Sequence, residues 1–82
     1  MALELIKEEI RTYIKSNIIQ KEDVFIGNDT PLISGGIVDS ISTLKMVDFL
    51  ENKFKIEFLP HEVDRENLDT IDLIAQFIQS KK

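Results

Sequence analysis

Apolar residues recur every three or four positions near the start of the chain and again in its middle. At the start, Leu3, Ile6 and Ile10 are separated by charged side chains, a pattern that predicts an amphipathic helix over about 3–16. In the middle, a longer apolar series without glycine or proline predicts a helix over 40–54. We expect one continuous face of that helix to carry Ile41, Leu44, Val47, Leu50 and Phe54.

Two further helical segments are predicted in the last third of the chain. A short helical turn is expected near 61–66, just after Pro60. A longer helix is expected over about 70–79, with Asp69 or Thr70 as its N-cap. The apolar positions of this last segment are Leu68, Ile71, Ile74, Phe77 and Ile78.

The stretch between the first two long helices, about 18–39, has no sustained hydrophobic period. It contains turn-forming residues, among them Pro31, Gly35 and Gly36. Its apolar side chains could pin it against the helices: Phe25, Ile26, Leu32, Ile33, Ile37 and Val38. The predicted fold is therefore all-α, a small four-helix bundle with three longer helices, one short helix and a long structured first loop. We expect one domain over 1–82.

Composition narrows the classes of protein that fit such a bundle. The 82 residues carry a net charge of −5, which disfavours binding to nucleic acid or to anionic lipid. Cysteine is absent, which excludes disulfides and thiolate nucleophiles. No apolar stretch approaches the roughly 18 residues that span a membrane, and the acidic N-terminus is unlike a signal peptide. We expect a monomeric cytoplasmic protein without membrane insertion.

Asp39 and Ser40, where the loop becomes the second long helix, have the clearest chemical potential. The first N–H groups of a helix lack internal partners, and the positive end of its macrodipole favours a phosphate. Gly35 and Gly36 allow a close turn or a positive φ, so that the Ser40 hydroxyl can project outward. The Asp39 carboxylate could hold a divalent cation or orient a modifying enzyme. Either residue could equally be a plain N-cap, and spacing alone leaves both readings open.

The segment 36–41 resembles the phosphopantetheine attachment region of the acyl carrier protein and peptidyl carrier protein superfamily. There a hydrophobic-Asp-Ser-hydrophobic motif opens the second helix after a loop that contains glycine, and here the motif reads Val-Asp-Ser-Ile at 38–41. The likeness continues through 46–58, which is similar to the superfamily's second helix and the loop after it. It covers most of the chain, and its specific part is 31–58.

The link between the second and last long helices indicates a branch of that superfamily. Residues 58–68 form a longer link than in carriers of fatty acid synthesis. With Asp64-Arg65-Glu66, this link is more similar to that of stand-alone peptidyl, aminoacyl and D-alanyl carriers. Lys45 and Asn52 also stand where carriers of fatty acid synthesis frequently have acids. We therefore expect specialised acyl or aminoacyl carriage ahead of bulk fatty acid synthesis.

The resemblance implies a non-catalytic carrier. Ser40 would receive a 4′-phosphopantetheine arm from coenzyme A through a phosphopantetheinyl transferase, with Asp39 positioning the modification and magnesium needed only by the transferase. The arm would hold an acyl or aminoacyl thioester for a cargo-loading ligase or acyltransferase and for downstream enzymes. The pathways implied are specialised lipid, polyketide, peptide or cell-envelope biosynthesis. The residues expected to face these partners are Ile41, Leu44, Lys45, Asp48, Glu51 and Asn52.

A second class of function stays open at this level. A small helical adaptor could bind a protein partner without any prosthetic group. An independent enzyme is disfavoured, because the single histidine, His61, has no nucleophile or further metal ligands at a suitable spacing. No metal site is therefore predicted.

Overall fold

The computed structural model describes residues 2–20 and 25–81, which contain four α-helices and no strand. The predicted all-α four-helix bundle is confirmed, and residues 21–24 of the predicted first loop lie outside the described residues. In chain order, the elements are α1 (Leu3–Tyr13), a π-helical turn (Ile14–Ile19), α2 (Ser40–Phe54), a 3-10 turn (Pro60–Glu62), α3 (Arg65–Leu68) and α4 (Ile71–Lys81).

The core lies where the inner faces of the helices meet the first loop, with α1 packed against α4. The helical side chains with no exposed surface include Ile6, Ile10, Ile14, Met46, Leu50, Leu68, Ile71, Ile74 and Ile78. The loop contributes Ile26, Leu32 and Val38, each at most 1% exposed. Full burial of one such side chain contributes about 1.5–3 kcal/mol. Burial of apolar side chains therefore stabilises the loop as well as the helices.

The first helix continues further than the hydrophobic pattern predicts. Instead of ending near residue 16, the chain continues as the π-helical turn, and Gln20 ends it with a φ of 62°. The Asn17 side chain donates to the Tyr13 carbonyl at 3.3 Å, and Ile18 and Ile19 pack against the core. Ser16 and Asn17, the polar residues at which the hydrophobic pattern weakens, therefore lie on the exposed side of a continuing helix.

The short helical segment after Pro60 also differs from the prediction of 61–66. A 3-10 turn comes first, and α3 begins only at Arg65. Asp64 sets this start, because its side chain accepts a hydrogen bond from the Asn67 N–H at 3.2 Å. The predicted bounds were wrong because this cap decides where the helix begins.

The predicted apolar face of α2 is wrong at its first two positions. Ile41 and Leu44 are 68% and 64% exposed. Three residues turn an α-helix by about 300°, so Ile41 and Leu50, three such steps apart, point to opposite sides. The buried face consists instead of Thr43, Met46, Val47, Leu50 and Phe54.

Aromatic stacking and an ion pair fix α2 against α1. The Tyr13 and Phe49 rings stack with centroids 4.1 Å apart, and the Tyr13 hydroxyl donates to the Lys45 carbonyl at 3.2 Å. Further along, Lys53 Nζ lies 3.3 Å from Glu9 Oε2. With its middle and its C-terminal half held in this way, α2 presents its N-terminal turn at a defined position.

Candidate functional site

Ser40 is the first residue of α2, and it is exposed. The residue before it, Asp39, is the N-cap: its Oδ1 accepts a hydrogen bond from the Ser42 N–H at 2.8 Å. The Asp39 carbonyl accepts from the Thr43 N–H at 2.8 Å and from the Thr43 hydroxyl at 2.7 Å. Of the two residues that the sequence offers as caps, Asp39 takes this role. The Ser40 hydroxyl makes no hydrogen bond within the described residues, so the helix does not need it for capping.

The Asp39 carboxylate places a negative charge beside that hydroxyl. The backbone N–H of Ser42 and then its hydroxyl hold the pKa of Asp39 below its ordinary value. The carboxylate is therefore ionised at neutral pH. It accepts a hydrogen bond from one of the N–H groups at the positive end of α2. Its negative charge therefore offsets part of the positive charge of the helix dipole there.

Two glycines shape the turn that leads to α2. A Cβ atom at Gly35 would lie 2.3 Å from the Pro31 carbonyl oxygen, so the backbone passes too close for any side chain. Gly36 has a φ of 81°, in the region that favours glycine. The Val38 N–H then donates to the Leu32 carbonyl at 2.8 Å, which closes the turn. The close turn and the positive φ expected of this pair are both confirmed.

Asp69 fastens this turn from a distant part of the chain. Its Oδ1 accepts hydrogen bonds from the N–H groups of Ile33 at 2.8 Å and Ser34 at 2.9 Å, and its Oδ2 accepts from the Ser34 hydroxyl at 2.8 Å. The Asp69 carbonyl accepts from the Leu32 N–H at 2.6 Å. The hydrogen bonds to the carboxylate, led by that from the Ser34 N–H, lower the pKa of Asp69. The carboxylate is therefore ionised, and it orders the loop that carries Ser40.

Sequence reasoning missed this role of Asp69. It offered Asp69 and Thr70 as alternative N-caps of the last helix, and Thr70 takes that position, because its hydroxyl accepts from the Leu73 N–H at 3.0 Å. The bonds of Asp69 reach back 35 and 36 residues. The hydrophobic period of a sequence does not predict a hydrogen bond between residues so far apart in the chain.

A groove of about 320 Å³ opens beside Ser40. It lies between the first loop, the start of α2 and the segment that leads into α3. The lining residues are Ile33, Ser40, Thr43, Leu44, Val63, Asp64 and Arg65. Its volume is near the lower end of the range for small-molecule sites. The groove could receive a short, mainly apolar chain that starts at Ser40.

Comparisons with known proteins assign the chain to a family. It is 39% identical over 54 residues to a D-alanyl carrier protein of Lactococcus lactis subsp. lactis (strain IL1403), a match that covers 66% of this chain and 68% of the relative. It is 33% identical over 58 residues to a D-alanyl carrier protein of Streptococcus uberis (strain ATCC BAA-854 / 0140J), covering 71% and 73%. The chain belongs to the carrier protein family. The resemblance found in the sequence is thereby confirmed.

A more distant relative extends the likeness along the carrier. The "Probable acyl carrier protein PigG" of Serratia sp. (strain ATCC 39006) is 24% identical over 78 residues, which cover 95% of this chain and 90% of the relative. No protein-family model matches the chain. These relatives are carriers, and carriers present cargo to enzymes without being catalysts themselves. The chain is accordingly a non-catalytic carrier with a function in specialised biosynthesis.

The predicted partner-facing residues of the carrier fall into two groups. Ile41, Leu44, Lys45, Asp48 and Asn52 are exposed along α2. Glu51 is only half-exposed, and its carboxylate accepts a hydrogen bond from the Phe58 N–H at 2.8 Å. Glu51 therefore supports the connection after α2, whereas the other side chains are open to solvent.

The structure adds two findings on membrane and metal binding. None of the helices in 2–20 and 25–81 is both long and apolar enough to cross a bilayer. Within the same residues, no three side chains of the histidine or acidic types are grouped so that they could hold a metal ion. Asp39, considered above as a cation ligand, therefore has no ligand set around it in the described part of the carrier.

Proposed function

We propose that Ser40 carries a 4′-phosphopantetheine arm. The observation that carries this proposal is an exposed serine at the first position of a helix that a neighbouring residue already caps. A serine used as the cap would have its hydroxyl oxygen committed to a backbone N–H, whereas that of Ser40 is available. The groove beside Ser40 gives a chain attached there a surface to follow.

The residues around Ser40 suit the modification chemically. The Ser40 oxygen would bond to the phosphorus that bears pantetheine in coenzyme A, while the pyrophosphate bond breaks and the nucleotide half leaves. The serine proton would pass to a base of the phosphopantetheinyl transferase. Asp39, ionised and adjacent, would position the transferase, and the N-terminus of α2 would favour the new phosphodiester. When attached, the arm supplies a thiol that holds a carboxylic acid as a thioester.

We further propose that the cargo is an amino acid or another short acyl group. Two kinds of support agree: the named D-alanyl carriers among the relatives, and the small groove beside Ser40. A groove of about 320 Å³ is near the lower end of the range for small-molecule sites, which suits a short cargo better than a long acyl tail. A ligase would load the cargo, and cell-envelope or peptide-forming enzymes would remove it.

Intact mass spectrometry tests the attachment site. The purified chain is incubated with coenzyme A, magnesium and a broad-specificity phosphopantetheinyl transferase. The wild type should gain one arm, and Ser40→Ala should gain none. Ser42→Ala is the matched control, because it removes a hydroxyl from the same helical turn and should still gain the arm. An unmodified wild type would refute the proposal and favour a small helical adaptor.

Loading of the modified carrier tests the cargo. A D-alanine:carrier ligase with ATP and D-alanine should add one alanyl mass, which hydroxylamine then removes because it cleaves thioesters. An acyl–carrier synthetase with a long-chain fatty acid is the comparison. Efficient loading by the second enzyme alone would refute the short-cargo proposal and leave the attachment at Ser40 unaffected.

A further inference from the structure

Arg65 is a groove residue to which the carrier function assigns no role. It begins α3, it is exposed, and it borders the same groove as Ser40. Among the groove residues it is the only cation, and Asp64 is the only anion. A positive charge therefore borders the same groove as the proposed attachment point.

The guanidinium of Arg65 is not used by the fold. Within the described residues it makes no hydrogen bond or ion pair, whereas the chain's other arginine, Arg11, binds Glu8, Asn28 and the Ile26 carbonyl. Arg11 thus shows how an arginine is used structurally in this protein. Arg65 differs from it in being available to a ligand.

Two acids near Arg65, Asp64 and Asp69, accept hydrogen bonds from other donors. Asp64 accepts a hydrogen bond from the Asn67 N–H at 3.2 Å. The charge of Arg65 contributes to the lowered pKa of Asp69. Both carboxylate oxygens of Asp69 accept hydrogen bonds, which come from Ile33 and Ser34. Within the described residues, neither carboxylate forms an ion pair with the guanidinium of Arg65.

A cation at this groove would further stabilise a phosphodiester on Ser40. The group carries a negative charge, and the ionised Asp39 beside it repels a second anion. Asp39 also accepts the Ser42 N–H, so the N-terminus of α2 is already partly compensated. A guanidinium matches phosphate oxygens through two parallel N–H donors, which a lysine ammonium cannot reproduce.

Resting on the proposed attachment at Ser40, we infer that Arg65 pairs with the phosphodiester of the arm and holds the root of the arm in the groove. The first part of the arm would then follow the apolar wall formed by Ile33, Leu44 and Val63. Since the pair is exposed, the arm would exchange between a docked and a free state, and removal of Arg65 should lower the docked population about threefold. Arg65 is thus a positioning residue for the prosthetic group.

Nuclear magnetic resonance of the carrier without any partner enzyme tests this inference. Wild type, Arg65→Gln, Arg65→Lys and the control Lys53→Gln are each prepared unmodified and fully modified, as checked by intact mass. Lys53 lies in the last turn of α2, pairs with Glu9 and does not border the groove, so its loss removes the same charge elsewhere, and the unmodified form of this variant corrects for the lost pair. Amide spectra of the unmodified variants verify that each one is folded.

Two readouts report the docked arm: the phosphorus resonance, referenced to the urea-unfolded modified carrier, and the amide shifts at 63–65 caused by modification. Both should be similar in wild type and Lys53→Gln, about threefold smaller in Arg65→Gln, and intermediate in Arg65→Lys. Equal values in Arg65→Gln and wild type would overturn the inference. A wild type that gains no arm would instead overturn the attachment at Ser40, so the two failures are distinguishable.

Discussion

The connections before and after α2 both form walls of the groove, but the acids that bind their backbone N–H groups lie at different distances along the chain. The described part of the first, 25–39, buries Ile26, Leu32 and Val38 and is fastened by Asp69. The second, 55–64, buries Phe58, whose ring stacks on Phe77 of α4. Its backbone is bonded to acids close in sequence, because the N–H groups of Phe58 and Leu59 donate to the carboxylates of Glu51 and Glu62.

This difference predicts which interactions each connection needs in order to stay ordered. The first connection depends on the folded core and on a residue of another segment, so it can be ordered only when the whole bundle is folded. The backbone N–H groups of Phe58 and Leu59 in the second connection need only acids close in sequence, although the Phe58 side chain also packs on α4. Ser40 follows directly after the first connection, and its position is therefore linked to global stability.

The largest effect should come from removing a buried side chain of the first connection. Leu32 has no exposed surface, so Leu32→Ala should cost about 3 kcal/mol of unfolding free energy through lost burial and the cavity left behind. Leu59→Ala, in the second connection, is the matched control, because Leu59 is 43% exposed and should cost less than about 1 kcal/mol. Urea unfolding measures both. Equal costs would contradict the proposed contrast.

Removing the distant acid should have the next largest effect. Asp69→Ala leaves the N–H groups of Ile33 and Ser34 without their acceptor and should cost about 2 kcal/mol. Asp64→Ala removes only the N-cap of the four-residue α3 and should cost about 1 kcal/mol. The amide resonances of 32–38 should shift in the first variant alone. Unchanged loop resonances in Asp69→Ala would show that the apolar side chains suffice to order the loop.

Acid titration sharpens the same comparison. The folded-state pKa of Asp69 lies below its ordinary value of 3.8, so its contribution to stability is present above that pH and is lost as pH falls through the folded value. Asp69→Asn stays uncharged, and its stability should therefore decline less steeply below pH 3.8 than that of wild type. Urea midpoints from pH 7 to about 2.5 measure this difference. Parallel curves would exclude a role for the carboxylate charge.

The smallest effect should come from an ion pair at the second connection. Lys81 Nζ lies 2.7 Å from Glu62 Oε1 and 5.4 Å from the centre of the Phe77 ring. Because Lys81 belongs to the last turn of α4, Lys81→Met should lower the urea midpoint by only about 0.3 M and should remove part of its salt dependence. A loss as large as that of Asp69→Ala would show that this ion pair holds the second connection as strongly as Asp69 holds the first.

Much of the fold could be predicted from the sequence, because burial imposes a period on each longer helix. Ile6, Ile10 and Ile14 recur every four residues and are all buried. The same argument fails for steps of three, which rotate around the helix, and so Ile41 and Leu44 were wrongly assigned to the buried face. Short elements such as α3 depend on individual caps instead of a period.

The candidate site was predictable only in part. Ser40 and Asp39 stand out because a helix start has recognisable local chemistry, although their role in the modification stays a prediction. Val63, Arg65 and Asp69 reach the site through tertiary structure, and no local pattern places them beside a loop some thirty residues earlier. Three separate segments of the chain line the groove, and only the packing of the folded bundle brings them together.

The close approach at Gly35 limits how this carrier can be altered. Even the methyl group of alanine would collide with the Pro31 carbonyl oxygen, so the peptide would have to move. A carrier with a residue other than glycine at this position should then lose modification by misplacing the acceptor serine, with every enzyme-facing side chain unchanged. In a comparison of natural or engineered variants, glycine at position 35 therefore reflects a steric limit of the backbone. It does not report which partner enzyme the carrier recognises.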